Sequence, residues 1–139
     1  MQDELRKIML ENIYSDPFSK YLGLEFLELD EKHALARIPF KDELKNPYKT
    51  MHGGVLYSLA DIVAGTVSCM SGYFGVTVSG SFNYMQPGSG KEYLYCKADV
   101  VRDGAHLVVM DVAITNDEDK LIDKGTFTFF KTERKVLER

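Results

Sequence analysis

One short stretch of this sequence combines groups that could perform chemistry. His52 is followed by Gly53 and Gly54, and nine residues after the histidine comes Asp61, within a run that is otherwise apolar. Histidine and carboxylate side chains are frequent proton donors and acceptors in catalysis. Glycine lets a ligand come close to backbone N–H groups. The stretch therefore offers candidates for acid–base work and for stabilising a negative charge.

The apolar run from residue 54 to 70 predicts a helix, which Gly72 closes. At 100° per residue, Asp61 shares a face with small or weakly polar residues, away from the heavy aliphatic stripe. The first group comprises Gly54, Tyr57, Ser58, Ala64, Gly65 and Ser68, and the second Leu56, Leu59, Ile62, Val63 and Val67. Three interpretations remain open: Asp61 points to water, it bonds to backbone, or it borders a cleft as a base or nucleophile.

The His-Gly-Gly step lies where a loop becomes this helix. The first N–H groups of a helix lack intrahelical partners and carry the positive end of the helix dipole. Such groups suit an oxyanion or a polarised carbonyl. The alternative is a tight entry turn in which His52 only caps the helix.

The spacing limits how these groups can cooperate. Nine residues along a helix span about 13 Å, so His52 and Asp61 of one chain cannot share a small site. Either the two residues are unrelated, or a second subunit brings its own Asp61 to this chain's His52. A two-fold dimer would form that arrangement twice.

The rest of the chain supplies one helix and six strands around this central helix. Helical spacing favours residues 3–13, and alternating patterns favour strands over residues 24–30 and 33–40. Strand-like segments follow at 74–85, 92–101, 106–115 and 120–131, and the terminal TERKVLER is predicted to be a solvated tail. We expect one α+β domain over residues 1–139, with an antiparallel sheet of about five to six strands wrapped around one helix.

Composition excludes several classes of function. The formal net charge is −4 and the sequence pI about 5.4, which argues against nucleic acid as a partner. The two cysteines, Cys69 and Cys96, fit neither a disulfide framework nor a zinc motif. The start of the sequence lacks a signal-peptide core and no apolar run has the length of a membrane span. We therefore expect a cytoplasmic protein with no membrane partner.

The pattern N-x(5)-H-G-G-x(6)-D, from Asn46 through His52 to Asp61, resembles the hotdog-fold acyl-CoA thioesterases of the phenylacetic-acid-degradation type. The segment GVTVSGSFNYMQP is similar to the strand that follows the helix in that family. The resemblance covers nearly the whole chain. It implies hydrolysis of an acyl- or aryl-acyl-CoA thioester to free acid and coenzyme A.

The resemblance also implies catalytic roles for five residues. The Gly53 N–H would polarise the thioester carbonyl, and His52 would help to place the thioester. Asn46 would orient the substrate or the water, and a hydroxyl on the next strand, here Thr77, would help to hold that water. The acid, Asp61, would come from the partner subunit.

Further expectations concern substrate binding and assembly. Gly54, Ser58 and Arg102 are the candidate substrate-binding residues. The family often carries a basic residue after the glycine of the turn at Arg102-Asp103-Gly104-Ala105, and this chain has Ala105 there. The resemblance implies no metal and no cofactor, with coenzyme A only as part of the substrate. It implies a homodimer, which we expect to pair into a dimer of dimers.

Two other functions remain open at this stage. One is a hotdog enoyl-CoA hydratase, which usually places its Asp and His close together near the helix start. Here the acid lies two turns into the helix, which favours hydrolysis. The other is a non-catalytic module that binds an acyl thioester without needing Asp61.

Overall fold

The computed structural model describes residues 1–137. Three α-helices and six strands follow one another in the order α1, α2, β1, β2, α3, β3, β4, β5, β6, with a short 3-10 helix, Asp42–Leu44, between β2 and α3. The helices are α1 Gln2–Ser15, α2 Pro17–Leu22 and α3 Gly53–Cys69. The strands are β1 Glu25–Leu29, β2 His33–Pro39, β3 Tyr73–Tyr84, β4 Tyr93–Asp103, β5 Leu107–Asn116 and β6 Leu121–Lys135.

Local sequence signals set the boundaries of the two N-terminal helices. Asp16 ends α1 in an extended conformation and caps α2 by accepting the Ser19 N–H at 3.1 Å. Pro17 fits the first helical position because its missing N–H would have no partner there. Gly23 ends α2 at φ +73, a left-handed conformation that glycine adopts without a steric cost.

The six strands form one antiparallel sheet in the order β1-β2-β4-β5-β6-β3. The strands β3, β4, β5 and β6 are consecutive in the chain. In the sheet, however, β3 pairs with β6 and not with β4, so β3 forms one edge. The inner face of the sheet packs on α3, whose buried side includes Leu56, Leu59 and Val63. The core therefore lies between one helix and one curved sheet.

The expected hotdog architecture is confirmed: an antiparallel sheet of six strands encloses one long helix. Element boundaries differ from the sequence prediction by only a few residues. None of the helices among residues 1–137 combines the length and apolarity needed to cross a membrane.

One local expectation was wrong. TERKVLER is not wholly a solvated tail, because β6 continues to Lys135 and Val136 is buried. The Val136 N–H donates to the Gly72 carbonyl at 2.9 Å, which ties this end of the chain to the turn after α3; residues 138 and 139 lie outside the described residues. On α3, Ala64 and Ser68, which share the helix face of Asp61, are buried, so this face is not solvated along its whole length.

Candidate active site

The N-terminus of α3 begins with a histidine cap. His52 is extended at φ −60, ψ 135, and its Nδ1 accepts the Gly54 N–H at 3.1 Å. Since Nδ1 is an acceptor, the neutral ring of His52 carries its proton on Nε2, where it can donate to a ligand. The capping role that the sequence offered as an alternative is present, and it leaves Nε2 for chemistry.

Gly53 is the first residue of α3, and a side chain holds its carbonyl group but not its N–H group. Its carbonyl accepts a hydrogen bond from the Tyr84 hydroxyl at 3.0 Å. Its N–H makes no hydrogen bond within residues 1–137, whereas the next N–H, of Gly54, is committed to His52. An unpartnered N–H at the positive end of a helix dipole is suited to a developing oxyanion.

The loop that precedes this helix start is organised by Asn46. The Asn46 Oδ1 accepts the N–H groups of Tyr48 and Thr50, at 2.9 and 3.2 Å, and its Nδ2 donates to the Thr50 hydroxyl at 2.9 Å. Lys49 takes a left-handed conformation at φ 72 within the same turn. Asn46 thus has a structural role in shaping the loop, and one amide hydrogen of Nδ2 remains for a ligand.

Asp61 lies eight residues into the helix, half-buried and facing β3. The Thr77 hydroxyl donates to Asp61 Oδ1 at 2.7 Å. This is the only hydrogen bond that the Asp61 carboxylate makes within residues 1–137, so the carboxylate is held by a side chain and not by backbone. The second oxygen, Oδ2, stays available. The resemblance implied that Thr77 helps to hold the reacting water, and in the structure its hydroxyl bonds directly to Asp61.

The other predicted binding residues differ in how free they are. Ser58 donates its hydroxyl to the Gly54 carbonyl at 2.8 Å, within the first turns of α3. Gly54 therefore has both backbone groups occupied, by His52 and by Ser58. These two residues lie beside Gly53 and shape the helix start, but their hydrogen bonds are already internal ones.

Arg102 is exposed near the end of β4, on a groove of about 300 Å³ that also includes His106 and Leu107. Across the sheet, Thr77 on β3 pairs with β6, β6 pairs with β5, and the residue of β4 that lies in the same row is Asp103, next to Arg102. Three strand spacings separate β4 from β3, or about 14 Å. Within one chain, Arg102 is not brought together with either Asp61 or His52.

The structure separates the predicted catalytic residues of one chain into two groups. His52, Gly53 and Asn46 lie at the start of α3, and Asp61 with Thr77 lies about 12 Å along its axis. Among residues 1–137, no group of three or more His, Cys, Asp and Glu side chains is arranged to hold a metal ion.

Sequence reasoning missed the contribution of Tyr84 and the position of Asp123. Nothing in the pattern of β3 distinguishes the hydroxyl of Tyr84 from that of other tyrosines. Asp123 alternates with Phe127 and Phe129 along β6, which is a signal that its side chain faces inward. It is fully buried, neither carboxylate oxygen has a hydrogen-bond partner within residues 1–137, and desolvation raises its pKa to about 7.

Comparison with known proteins gives a family match over the centre of the chain. The profile described as Thioesterase superfamily matches residues 48–122, which include α3 and the strands β3, β4 and β5. Among curated proteins, acyl-coenzyme A thioesterase PaaI of Escherichia coli is 28% identical over 114 residues, covering 82% of this chain and 79% of that protein. Human acyl-coenzyme A thioesterase 13 is 26% identical over 132 residues, covering 92% and 94%.

A solved structure also matches closely. The hypothetical thioesterase of Streptococcus pneumoniae, solved with coenzyme A, superposes with a TM-score of 0.83 at 32% identity, covering 91% of this chain and 98% of that one. Two solved variants of that protein carry an Asp→Ala and a Thr→Ala substitution sixteen positions apart. Asp61 and Thr77 are separated by the same sixteen positions.

Proposed function

Because the chain belongs to the thioesterase superfamily, we propose that it hydrolyses an acyl- or aryl-acyl-CoA thioester to the free acid and coenzyme A. The observation that carries this proposal is the helix start. There, the Gly53 N–H has no hydrogen-bond partner within residues 1–137, whereas the Gly54 N–H donates to His52 Nδ1. The relatives named as acyl-CoA thioesterases supply the substrate class.

The Gly53 N–H is the proposed oxyanion donor. A thioester carbonyl bound there would lie at the positive end of α3, where the charge of a tetrahedral intermediate is stabilised. Removing a principal donor of this kind typically costs about 10²–10³ in rate. The Nε2–H of His52 is placed to hold the thioester beside Gly53, and Asn46 supplies the remaining amide hydrogen of the loop.

Asp61 is the proposed base or nucleophile. As a base, it takes a proton from water while the water oxygen attacks the carbonyl carbon, and collapse of the intermediate breaks the C–S bond and releases the coenzyme A thiolate. As a nucleophile, Asp61 itself attacks the carbonyl carbon, and the C–S bond breaks to release the coenzyme A thiolate. Water then hydrolyses the resulting mixed anhydride to free acid and the Asp61 carboxylate. In both routes the Thr77 hydroxyl orients the carboxylate through Oδ1 and leaves Oδ2 to react.

The complete site requires two subunits, since Asp61 and His52 of one chain are too far apart to share a thioester. Two subunits could pair through β3, the strand at one edge of the sheet. Thr77, near the middle of β3, holds Asp61, and Tyr84, the last residue of β3, holds Gly53. If two β3 strands pair antiparallel with Gly80 of one copy opposite Ser81 of the other, Thr77 of one copy lies opposite Tyr84 of the other. In that register Asp61 of the partner subunit comes close to this chain's Gly53.

The surface of β3 favours such pairing. It is a strand of twelve residues at the edge of the sheet, with exposed Val76 and Val78, and exposed Phe130 beside it on β6. Long apolar edge strands without protection promote pairing with another chain. A homodimer would cover this edge and enclose both sites, and we propose that two such dimers associate.

Substrate binding and location complete the proposal. Gly54 and Ser58 would line the approach to Gly53. Arg102 would contact the coenzyme A phosphates, although within one chain it lies away from both His52 and Asp61. Cys69 and Cys96 are both buried free thiols, which fits a reducing cytoplasm.

Release of free thiol from a panel of acyl- and aryl-acyl-CoA esters tests this proposal. We expect turnover that the variants Asp61→Asn and His52→Ala each abolish, with the variants still folded. A protein that binds acyl-CoA without releasing thiol would instead be a binding module. Hydration of an enoyl-CoA without thiol release would assign it as a hydratase.

A further inference from the structure

The ring of Tyr84 covers the first residue of α3. Its hydroxyl donates to the Gly53 carbonyl at 3.0 Å, and its Cε1 lies 3.4 Å from the point where a Cβ on Gly53 would be. Tyr84 is the last residue of β3, so its backbone is fixed by pairing with Asp123 on β6. The ring packs edge-on against Phe82 with a centroid distance of 5.3 Å. The hydroxyl is therefore directed by a rigid strand.

The peptide group that receives this hydrogen bond also donates one. The same unit, from the Gly53 carbonyl to the Gly54 N–H, holds Tyr84 at its oxygen and His52 Nδ1 at its nitrogen. Hydrogen bonds in such a chain polarise one another, so a donor at the carbonyl strengthens the N–H as a donor. Tyr84 thereby reinforces the hydrogen bond that keeps the proton of His52 on Nε2.

Fixing this peptide also constrains the neighbouring N–H group. Only the two backbone dihedrals of Gly53 separate the anchored carbonyl from the Gly53 N–H. Glycine is the residue with the widest backbone freedom, so an external restraint matters more here than at other residues. The hydroxyl of Tyr84 keeps its proton and can donate, because desolvation and the nearby Asp123 raise its pKa.

We propose that Tyr84 is a positioning residue of the active site, which acts through the Gly53–Gly54 peptide to orient the Gly53 N–H and to fix the tautomer of His52. This inference rests on the proposed thioesterase function of those residues. Tyr84 does not contact the reacting atoms in this role. Its effect should fall on the rate of the chemical step more than on substrate binding.

The test compares Tyr84→Phe with Tyr57→Phe. Both variants keep the ring, and both rings pack on Phe82, but the Tyr57 hydroxyl makes no hydrogen bond within residues 1–137. Loss of one hydrogen bond of ordinary strength corresponds to a fall of about 2- to 10-fold in kcat. We expect that fall for Tyr84→Phe, with KM changed by less than about twofold, and no change in kcat for Tyr57→Phe.

A second readout does not depend on activity. Nitrogen-15 NMR of the imidazole reports which ring nitrogen of His52 carries the proton. We expect the Nε2–H tautomer in the unmodified protein and in Tyr57→Phe, and a mixture of tautomers in Tyr84→Phe. If the His52 spectrum is the same in all three proteins, or if both variants lose activity equally, the positioning role is wrong. If the protein hydrolyses no thioester but the tautomer changes as expected, the proposed function fails while the positioning role stands.

Discussion

Asp61 and Asp123 show how differently one residue type can be used within a small fold. Asp61 is half-buried on α3 and accepts a hydrogen bond of 2.7 Å from Thr77. Asp123 faces the core from β6, is 0% exposed and has no hydrogen-bond partner within residues 1–137. A paired carboxylate at an accessible edge can act on a substrate, whereas an unpaired buried one costs free energy of folding. The accessible Asp61 therefore suits the chemistry that we propose for it, whereas the buried Asp123 carries a stability cost.

The largest expected effect concerns activity at Asp61. Asp61→Asn keeps the shape and the oxygen that accepts from Thr77 but removes the base or nucleophile. We expect kcat to fall by about 10²–10⁴-fold, the range typical of general acid–base catalysis. Thiol release from a good acyl-CoA substrate measures this fall, and urea unfolding checks that stability is retained. Near-normal turnover in a folded Asp61→Asn protein would remove Asp61 from the mechanism.

The next effect concerns stability at Asp123. Desolvation raises the pKa of Asp123 to about 7, compared with 3.8 for the exposed group. Between these values the folded protein holds a proton that the unfolded chain releases, so stability falls as pH rises from about 4 to about 7. Asp123→Val removes this loss, and its advantage over the unmodified protein should be larger at pH 8 than at pH 5 by about 2–3 kcal/mol.

Urea unfolding at the two pH values measures that difference. Asp111→Asn is the matched control, because Asp111 is an exposed aspartate on the neighbouring strand β5. We expect no pH-dependent advantage for the control and thiol release within about twofold of normal for Asp123→Val. A loss of turnover comparable to that of Asp61→Asn would mean that the contrast between the two aspartates is drawn wrongly.

A smaller effect is expected at the hydroxyl that distinguishes Asp61 from Asp123. Thr77→Val removes the donor to Asp61 Oδ1 with little change in volume. Loss of a hydrogen bond to a charged group, worth about 1.5 kcal/mol or more, should lower kcat at least about 10-fold. Thr77→Ser keeps the donor and should retain most of the activity. Equal activity of the Val and Ser variants would show that the hydroxyl does not orient the acid.

The smallest effect is expected at His33, whose pKa is raised by paired carboxylates, whereas that of Asp123 is raised by burial. Partial burial opposes charging of His33, but hydrogen bonds to Asp99 and Glu28, at 2.7 and 2.9 Å, and their charges raise its pKa. Charged His33 therefore stabilises the fold below about pH 6.5, and this contribution disappears as pH rises through the raised pKa. Since the carboxylates are largely exposed, His33→Gln should cost less than about 1 kcal/mol at pH 6.

Unfolding at pH 6 and pH 9 measures this contribution. The cost of His33→Gln should vanish at pH 9, where both proteins carry a neutral side chain at residue 33. A cost that persists at pH 9 would assign His33 a packing role.

The sequence supports much of the fold because its signals are local and strong. Alternation fixes the strands, Asp16-Pro17 separates the first two helices, and the apolar run after Gly53 defines α3. The end of β6 differs from the prediction because the charged residues of TERK mask the two apolar residues that follow, Val136 and Leu137. Only the tertiary structure reveals that Val136 bonds to the turn at Gly72.

The sequence names candidate residues for the site, but it does not predict their contacts. Spacing alone separates His52 from Asp61, since helix geometry fixes the distance between them. The direct bond from Thr77 to Asp61 and the hydroxyl of Tyr84 on Gly53 depend on how β3 crosses α3, which no local pattern encodes. The structural use of the Asn46 side chain within its own loop likewise appears only from its hydrogen bonds.

The shared site between subunits is tested most directly with mixed dimers. Chains carrying Asp61→Asn are combined with chains carrying His52→Ala, and heterodimers are purified with two different affinity tags. Each homodimer should be inactive. If Asp61 serves the partner's His52, the heterodimer contains one intact site and should recover about half of the normal thiol release per dimer. Confirmed heterodimers without any recovery would contradict the shared site.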